Sequence, residues 1–192
     1  GSLMIGGRRF GEGGRHDEEA TSRVGTHPRR AKEQCLGLVT GYVGEISNLA
    51  ESAIRLLAQG SSERVSLHPV NVTVLSLLLG KAMGLSQQDL LDLGMAAFLH
   101  DVGKQLLPER VRSFSATFTT PEYKLYQEHV AQSVALARRM ELSEGAVQAI
   151  AGHHEMVDGS GFPLRVKGTE LKLPSKILAL VNRYENLCNP SR

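Results

Sequence analysis

The sequence predicts an all-α protein, a helical bundle with a metal site between facing helices. Apolar residues recur at three- and four-residue spacing along most of the chain, the period of an amphipathic helix. Helix-start and helix-stop residues punctuate those runs at intervals of one helix plus a short connection. Period-two alternation never extends beyond a few residues, Leu171-Lys172-Leu173 being the nearest approach to a strand. Superposed on this pattern, five of the seven histidines fall between His68 and His154.

Residues 1–30 are rich in Gly, Arg and small polar residues and carry no apolar period, so they read as a flexible tail or linker. A lead helix is expected over 31–60, with Leu36, Val39, Val43, Ile46, Leu49, Ala53 and Leu56 at helical spacing; Gly60-Ser61-Ser62 closes it. His68, Val72, Leu75, Leu79 and Met83 then share one face of the next helix, which Gly84 ends. Ser86 caps a helix carrying Leu90, Leu91, Met95 and Phe98 up to His100-Asp101, with Gly103 as its expected C-terminal cap. Thr119 or Thr120 before Pro121-Glu122 starts a helix with the face Leu125, His129, Leu136 and Met140. Ser143-Glu144 opens another, bearing Val147, Ile150 and His154. A glycine-rich loop over 158–163 leads to Pro174 and a last helix with Ile177, Leu180, Val181, Tyr184 and Leu187.

Bulk properties exclude several classes. With 22 Lys+Arg against 20 Asp+Glu, the net charge of +2 provides no strong field for DNA. The excess base lies mostly in the first 32 residues, where a solvated linker is the simpler reading. No run approaches a transmembrane span and no cleavable signal peptide is evident. Cys35 and Cys188 match no metal-finger spacing, which points to a reducing compartment and hence a cytoplasmic protein.

A lone histidine on an apolar face is most often a hydrogen-bonded core residue. Here His68, His100, Asp101, His129, His153 and His154 would each need a separate partner, whereas a metal cluster explains them together. Asp101 is the natural bridging carboxylate between two divalent transition metals. Such a pair suits phosphoester hydrolysis, because it generates hydroxide near neutral pH and neutralises phosphoryl charge. Lys104 lies about one turn beyond Asp101. It reads equally well as a phosphate-holding point charge or as a surface lysine at a helix end.

Two stretches carry a family resemblance. His100-Asp101-Val102-Gly103-Lys104 resembles the HD-x-G-K motif of the HD phosphohydrolase superfamily, and Leu106-Leu107-Pro108 matches the short segment that follows it. His153-His154-Glu155, followed by Asp158-Gly159-Ser160-Gly161-Phe162-Pro163, resembles the HHE-x-x-DG-x-G-Y-P signature of the HD-GYP branch. The resemblance runs from about residue 60 to the end, so 61–192 is expected to form an HD-GYP-like domain. It implies an all-helical fold with two metals, iron or manganese, and hydrolysis of the bacterial second messenger cyclic di-GMP by a metal-bridged hydroxide. Carried over by position, it makes His68, His100, Asp101, His129, His153, His154 and, in an aspartate's place, Asn182 the metal-site residues, and Asp101 and Lys104 catalytic. Gly161, Phe162 and Pro163 would join Lys104 in binding substrate, with Arg192 where the family's phosphate-gripping basic residues begin. GGDEF-type cyclase domains are implied partners, and the apolar lead helix is compatible with a homodimer.

The departures define the alternative. Val181-Asn182-Arg183-Tyr184-Glu185-Asn186-Leu187 stands where the family has V-D-x-Y-D-A-L, so Asn182 replaces an aspartate ligand. A neutral amide coordinates transition metals far less well than a carboxylate. Phe162 replaces the signature tyrosine, and Arg64 stands where members with three metals carry Glu. A weak or inactive regulatory module, binding nucleotide or GGDEF proteins, is therefore the second reading; an HD hydrolase of another nucleotide is the third.

Overall fold

A computed structural model describes residues 21–46 and 68–189, together with the backbone of Met4–Ile5 and Arg8–Arg9. The two short stretches pair antiparallel as β1 (Met4–Ile5) and β2 (Arg8–Arg9). All else of regular structure is helical: α1 (Pro28–Ile46), α2 (His68–Ala82), α3 (Gln87–Leu99), α4 (Thr120–Arg139), α5 (Glu144–Ala151) and α6 (Leu173–Cys188). Two 3-10 turns, Val102–Leu106 and Glu109–Val111, connect α3 to α4. Gly60–Ser62, Arg64 and Arg192 lie outside the described residues, as does the expected continuation of the lead helix over 47–60.

Helix α3 is the central element, packed against α1, α2, α5 and α6. Its residues from Leu93 to Leu99 are buried without interruption. Burying such side chains stabilises the fold by about 1.5–3 kcal/mol each relative to exposure. Gly94 permits the crossing of α1, since a Cβ there would come within 2.5 Å of Val39 Cγ1. The local signals operate as expected: Ser86 Oγ accepts from Asp89 N, and Ser143 Oγ accepts from Ala146 N. Thr119 and Glu122 form a reciprocal capping box at the start of α4.

Several expectations change. The lead helix starts at Pro28, and Val24 is fully buried, so the C-terminal end of the expected tail contributes to the core. Its buried face runs through Ala31, Cys35, Val39, Tyr42, Val43 and Ile46, leaving Leu36 exposed. Met83 is also exposed, because α2 buries Val70, Val72, Val74 and Leu77 instead of one narrow stripe. On α6, Leu180, Tyr184 and Leu187 face solvent, while Ile177, Leu178, Val181, Asn182 and Glu185 are buried. That face turns inward because its polar residues meet the histidine cluster. Gly103 caps no helix: a Cβ there would collide with the backbone of His129 and Ser133. Its N–H donates to Ser133 Oγ at 2.9 Å, holding the turn after α3 against α4.

Candidate metal centre

Four elements deliver the sequence-predicted residues to one place. His68 begins α2, His100 and Asp101 follow α3, and His129 sits inside α4. His153 and His154 lie in the turn after α5, beyond the helix expected to carry His154. The ligand atoms fall into two groups, each within 4.8 Å: His68, His100 and Asp101 in one, Asp101, His129, His153 and His154 in the other. Asp101 belongs to both.

Its two oxygens face opposite ways. Oδ2 lies 3.3 Å from His100 Nε2 and 3.7 Å from His68 Nε2. Oδ1 lies 3.3 Å from His129 Nε2 and 3.7 Å from His153 Nε2. Lys104 Nζ donates to Oδ2 at 2.7 Å and sits 5.4 Å from the Tyr126 ring centroid.

The histidine tautomers follow from the backbone. His100, His129 and His153 point Nδ1 at the carbonyls of Ala97, Tyr126 and Ile150, at 2.7, 2.5 and 2.6 Å. A carbonyl only accepts, so Nδ1 carries the proton and Nε2 presents a lone pair to the cluster. Burial pushes His100 and His154 below the usual imidazole range and lowers His129 to about 3, against the opposing pull of Asp101. These rings are therefore neutral at pH 7. The Nε2 atoms of His129, His153 and His154, and Asp101 Oδ1, are buried with no hydrogen-bond partner among the described residues. Lone pairs facing a carboxylate oxygen repel unless a cation lies between them, and at His129 and His154 burial has removed the proton as a candidate. A nitrogen-and-carboxylate set of this kind fits divalent transition metals.

Burial also pushes the Asp101 carboxyl upward, but Lys104 and His100 outweigh it and hold that carboxyl well below its ordinary value. Lys104 is raised on balance, since Asp101 overcomes its own desolvation. The pair is ionised throughout the neutral range.

Sequence reasoning passed over three supporting residues. Glu185 Oε2 pairs with His68 Nδ1, while Glu185 Oε1 accepts from Asn71 at 3.1 Å and Asn189 at 3.2 Å. Burial would raise the Glu185 carboxyl, but the His68 contact lowers it. Its signal was its place three residues after Asn182, on the same helical face. Glu155 accepts from the N–H groups of Leu164, Arg165 and Val166 at 2.7, 3.1 and 3.2 Å, fixing the loop that holds Gly161, Phe162 and Pro163. Tyr126, beside both Lys104 and His129, had no sequence signal beyond burial on α4. Asn182 is buried as expected for an inward residue, and its Oδ1 accepts from Asn186 Nδ2 at 3.0 Å. Phe162 stacks on His154 at 4.4 Å between ring centroids.

A cavity of about 680 Å³ opens beside the cluster, bounded by Lys104, His153, His154, Phe162, Asn182 and Arg183 among others. It is large enough for a nucleotide-sized ligand.

The sequence and the helical fold around this cluster are similar to those of known proteins. The HD domain family model covers residues 45–192, and the chain belongs to that family. It is 27% identical over 139 residues to the cyclic di-GMP phosphodiesterase PA4108 of Pseudomonas aeruginosa, covering 72% of this chain and 33% of that protein. It is 30% identical over 156 residues to the 3'3'-cGAMP-specific phosphodiesterase 1 of Vibrio cholerae, covering 81% and 35%. The chain thus spans about a third of the length of these relatives. Among solved structures, Bd1817, a HDG"Y"P protein from Bdellovibrio bacteriovorus, superposes with a TM-score of 0.76 at 18% identity, over 91% of this chain and 58% of that one. That likeness concerns the fold. No helix among the described residues is long and apolar enough to cross a membrane.

Proposed function

We propose that the chain is the hydrolase unit of a cyclic dinucleotide phosphodiesterase, with cyclic di-GMP as the preferred substrate. The observation that carries this reading is Asp101, one oxygen turned towards each histidine group and Lys104 bonded to it. His68, His100 and Asp101 would hold one divalent metal, with Asn182 as a neutral neighbour; Asp101, His129, His153 and His154 would hold the other. Iron or manganese suits this donor set. Bound metals supply Lewis acidity for phosphodiester hydrolysis. Glu185 fixes His68 with Nε2 turned towards the cluster, and the backbone carbonyls do the same for His100, His129 and His153. Lys104 stays protonated and places a positive charge where the scissile phosphate meets Asp101. Phe162, held by the Gly161–Pro163 loop, closes one wall and limits water around His154. Arg192 would extend the grip on phosphate.

The nucleotide substrates in the names of the relatives support this class, and a cytoplasmic location fits a second-messenger enzyme. Residues 61–192 would form the hydrolase unit and 31–60 the lead segment, which would also serve a homodimer. Incubating the metal-loaded protein with cyclic di-GMP and resolving linear dinucleotide and GMP by chromatography tests the proposal. Release in the wild type and none in Asp101→Ala is the expected result; equal release in both points to a contaminant and sinks it.

Asn182 favours a second reading. An amide in place of a charged ligand suits a module that keeps the fold and binds nucleotide or a GGDEF-type cyclase domain without turnover. Metal-loaded protein that binds cyclic di-GMP and leaves it intact would select this reading.

A further inference from the structure

The aromatic residues are distributed unevenly. The chain has only five Phe and four Tyr, and no Trp. Five of these nine rings, Phe114, Phe118, Tyr123, Tyr126 and Phe162, form one contact network beside the histidines. Phe114 meets Phe118 at 6.0 Å and 81°, Tyr123 at 6.3 Å and 74°, and Tyr126 at 5.9 Å and 58°. Tyr126 in turn lies 4.8 Å from the His129 ring. The innermost ring is core: Tyr126 is 5% exposed. The outer ones are not, with Phe114 58% exposed and Tyr123 38% exposed. Both outer rings line the cavity that also contains Lys104, His153 and His154.

A satellite hydrophobic cluster would turn its largest side chain inward. Here the neighbours brace Phe114 from behind and from the side, while more than half of it stays open. The bracing fixes the ring, so little side-chain entropy remains to be lost when something stacks on it. It lies two ring contacts from His129, at 5.9 and then 4.8 Å between centroids, and faces the same cavity as Lys104.

We infer that Phe114 and Tyr123 form a nucleobase-stacking subsite, which holds the purine of the nucleotide whose phosphate sits at Lys104 and the histidines. This rests on the nucleotide-phosphodiester reading above, but it concerns binding and is independent of turnover. Stacking recognises the face of the base, so the gain belongs to the base and not to the sugar phosphate.

The test uses the metal-loaded protein with two stable probes, GMP and ribose 5-phosphate, titrated by calorimetry and proton NMR. GMP should bind wild type more tightly than ribose 5-phosphate, with its H8 resonance shifted upfield by the ring currents. Phe114→Ala should weaken GMP binding by about 5- to 140-fold, the usual range for removing one stacking ring. Tyr123→Ala should act in the same direction. Neither substitution should alter ribose 5-phosphate binding. Phe114→Leu keeps the bulk and should lose GMP affinity like Phe114→Ala, whereas Phe114→Trp should retain it. Equal binding of the two probes to wild type, absence of binding by both, equal weakening of both probes in Phe114→Ala, or full rescue by leucine would overturn the subsite. If cyclic di-GMP is not hydrolysed but GMP shows the base-dependent pattern, the subsite stands and the phosphodiesterase reading falls. Intact hydrolysis with an unchanged KM in Phe114→Ala has the reverse meaning.

Discussion

The two sides of Asp101 are built differently. On one side His129, His153 and His154 converge from α4 and the turn after α5, and their Nε2 atoms make no hydrogen bond among the described residues. On the other, His68 and His100 share the space with fewer donors, and the nearby carboxylate of Glu185 is turned to the back of His68. The first side is complete in nitrogen donors. The second depends on charge provided from behind, since Asn182 brings none of its own. Two groups sharing one carboxylate need not bind metal equally well.

Removing the shared residue should have the largest effect. Asp101→Ala is expected to empty both groups and reduce hydrolysis to the background of metal-free protein, as elemental analysis and product release will show. His129→Ala should be more selective, lowering metal content from two ions per chain to one. Loss of both ions in that variant would mean that the two sides bind as a single unit. Glu185→Gln keeps the shape but removes the charge behind His68. It should weaken metal on that side by about 10- to 100-fold, the usual cost of losing a partner of a ligating histidine. The His129 side should titrate as before. Asn182→Asp should act in the opposite sense on the same side, tightening it on the order of tenfold through one added negative charge. Unchanged occupancy would remove Asn182 as the source of any asymmetry.

Acidification of the metal-free protein sharpens the comparison further. His129 is held at about 3, well below an ordinary histidine, so the unfolded chain binds its proton first. The stability from keeping this ring neutral is fully present above the ordinary imidazole pKa of about 6.5 and is lost as pH falls towards 3. The melting temperature should fall across that window, and His129→Gln should flatten the decline.

Much of this was legible in the sequence, for identifiable reasons. His68, His129 and His154 were visible because imidazole is uncommon on apolar helical faces, and His100 and His153 because His100-Asp101 and His153-His154 stand next to each other. The caps at Ser86, Thr119 and Ser143 are local chemistry and needed no tertiary information. The buried face of α6 was misjudged because Leu180, Tyr184 and Leu187 outscore Asn182 and Glu185 in hydropathy. Ile177 and Val181 are buried as expected, and the pairing of Glu185 with His68 across the interface places polar residues beside them. Gly103 was misassigned for a related reason: a glycine needed for close approach looks identical in sequence to one that ends a helix. Phe114 and Tyr123 belong to no period, and their grouping arises only when the turns before α4 fold onto it.

Glu155 links two regions that would otherwise move separately. It directly follows His154, and its carboxylate is anchored to three successive amides, those of Leu164, Arg165 and Val166. From the other side, Phe162 N donates to the His154 carbonyl at 3.2 Å, and Gly161 leaves no room for a side chain against Glu155. These bonds hold the loop and the histidine pair together as one unit beside Gly152 at the end of α5. Where His153 and His154 stand is thus set partly by a loop that carries no ligand, and loss of the Glu155 carboxylate would disturb the ligand geometry without removing a ligand.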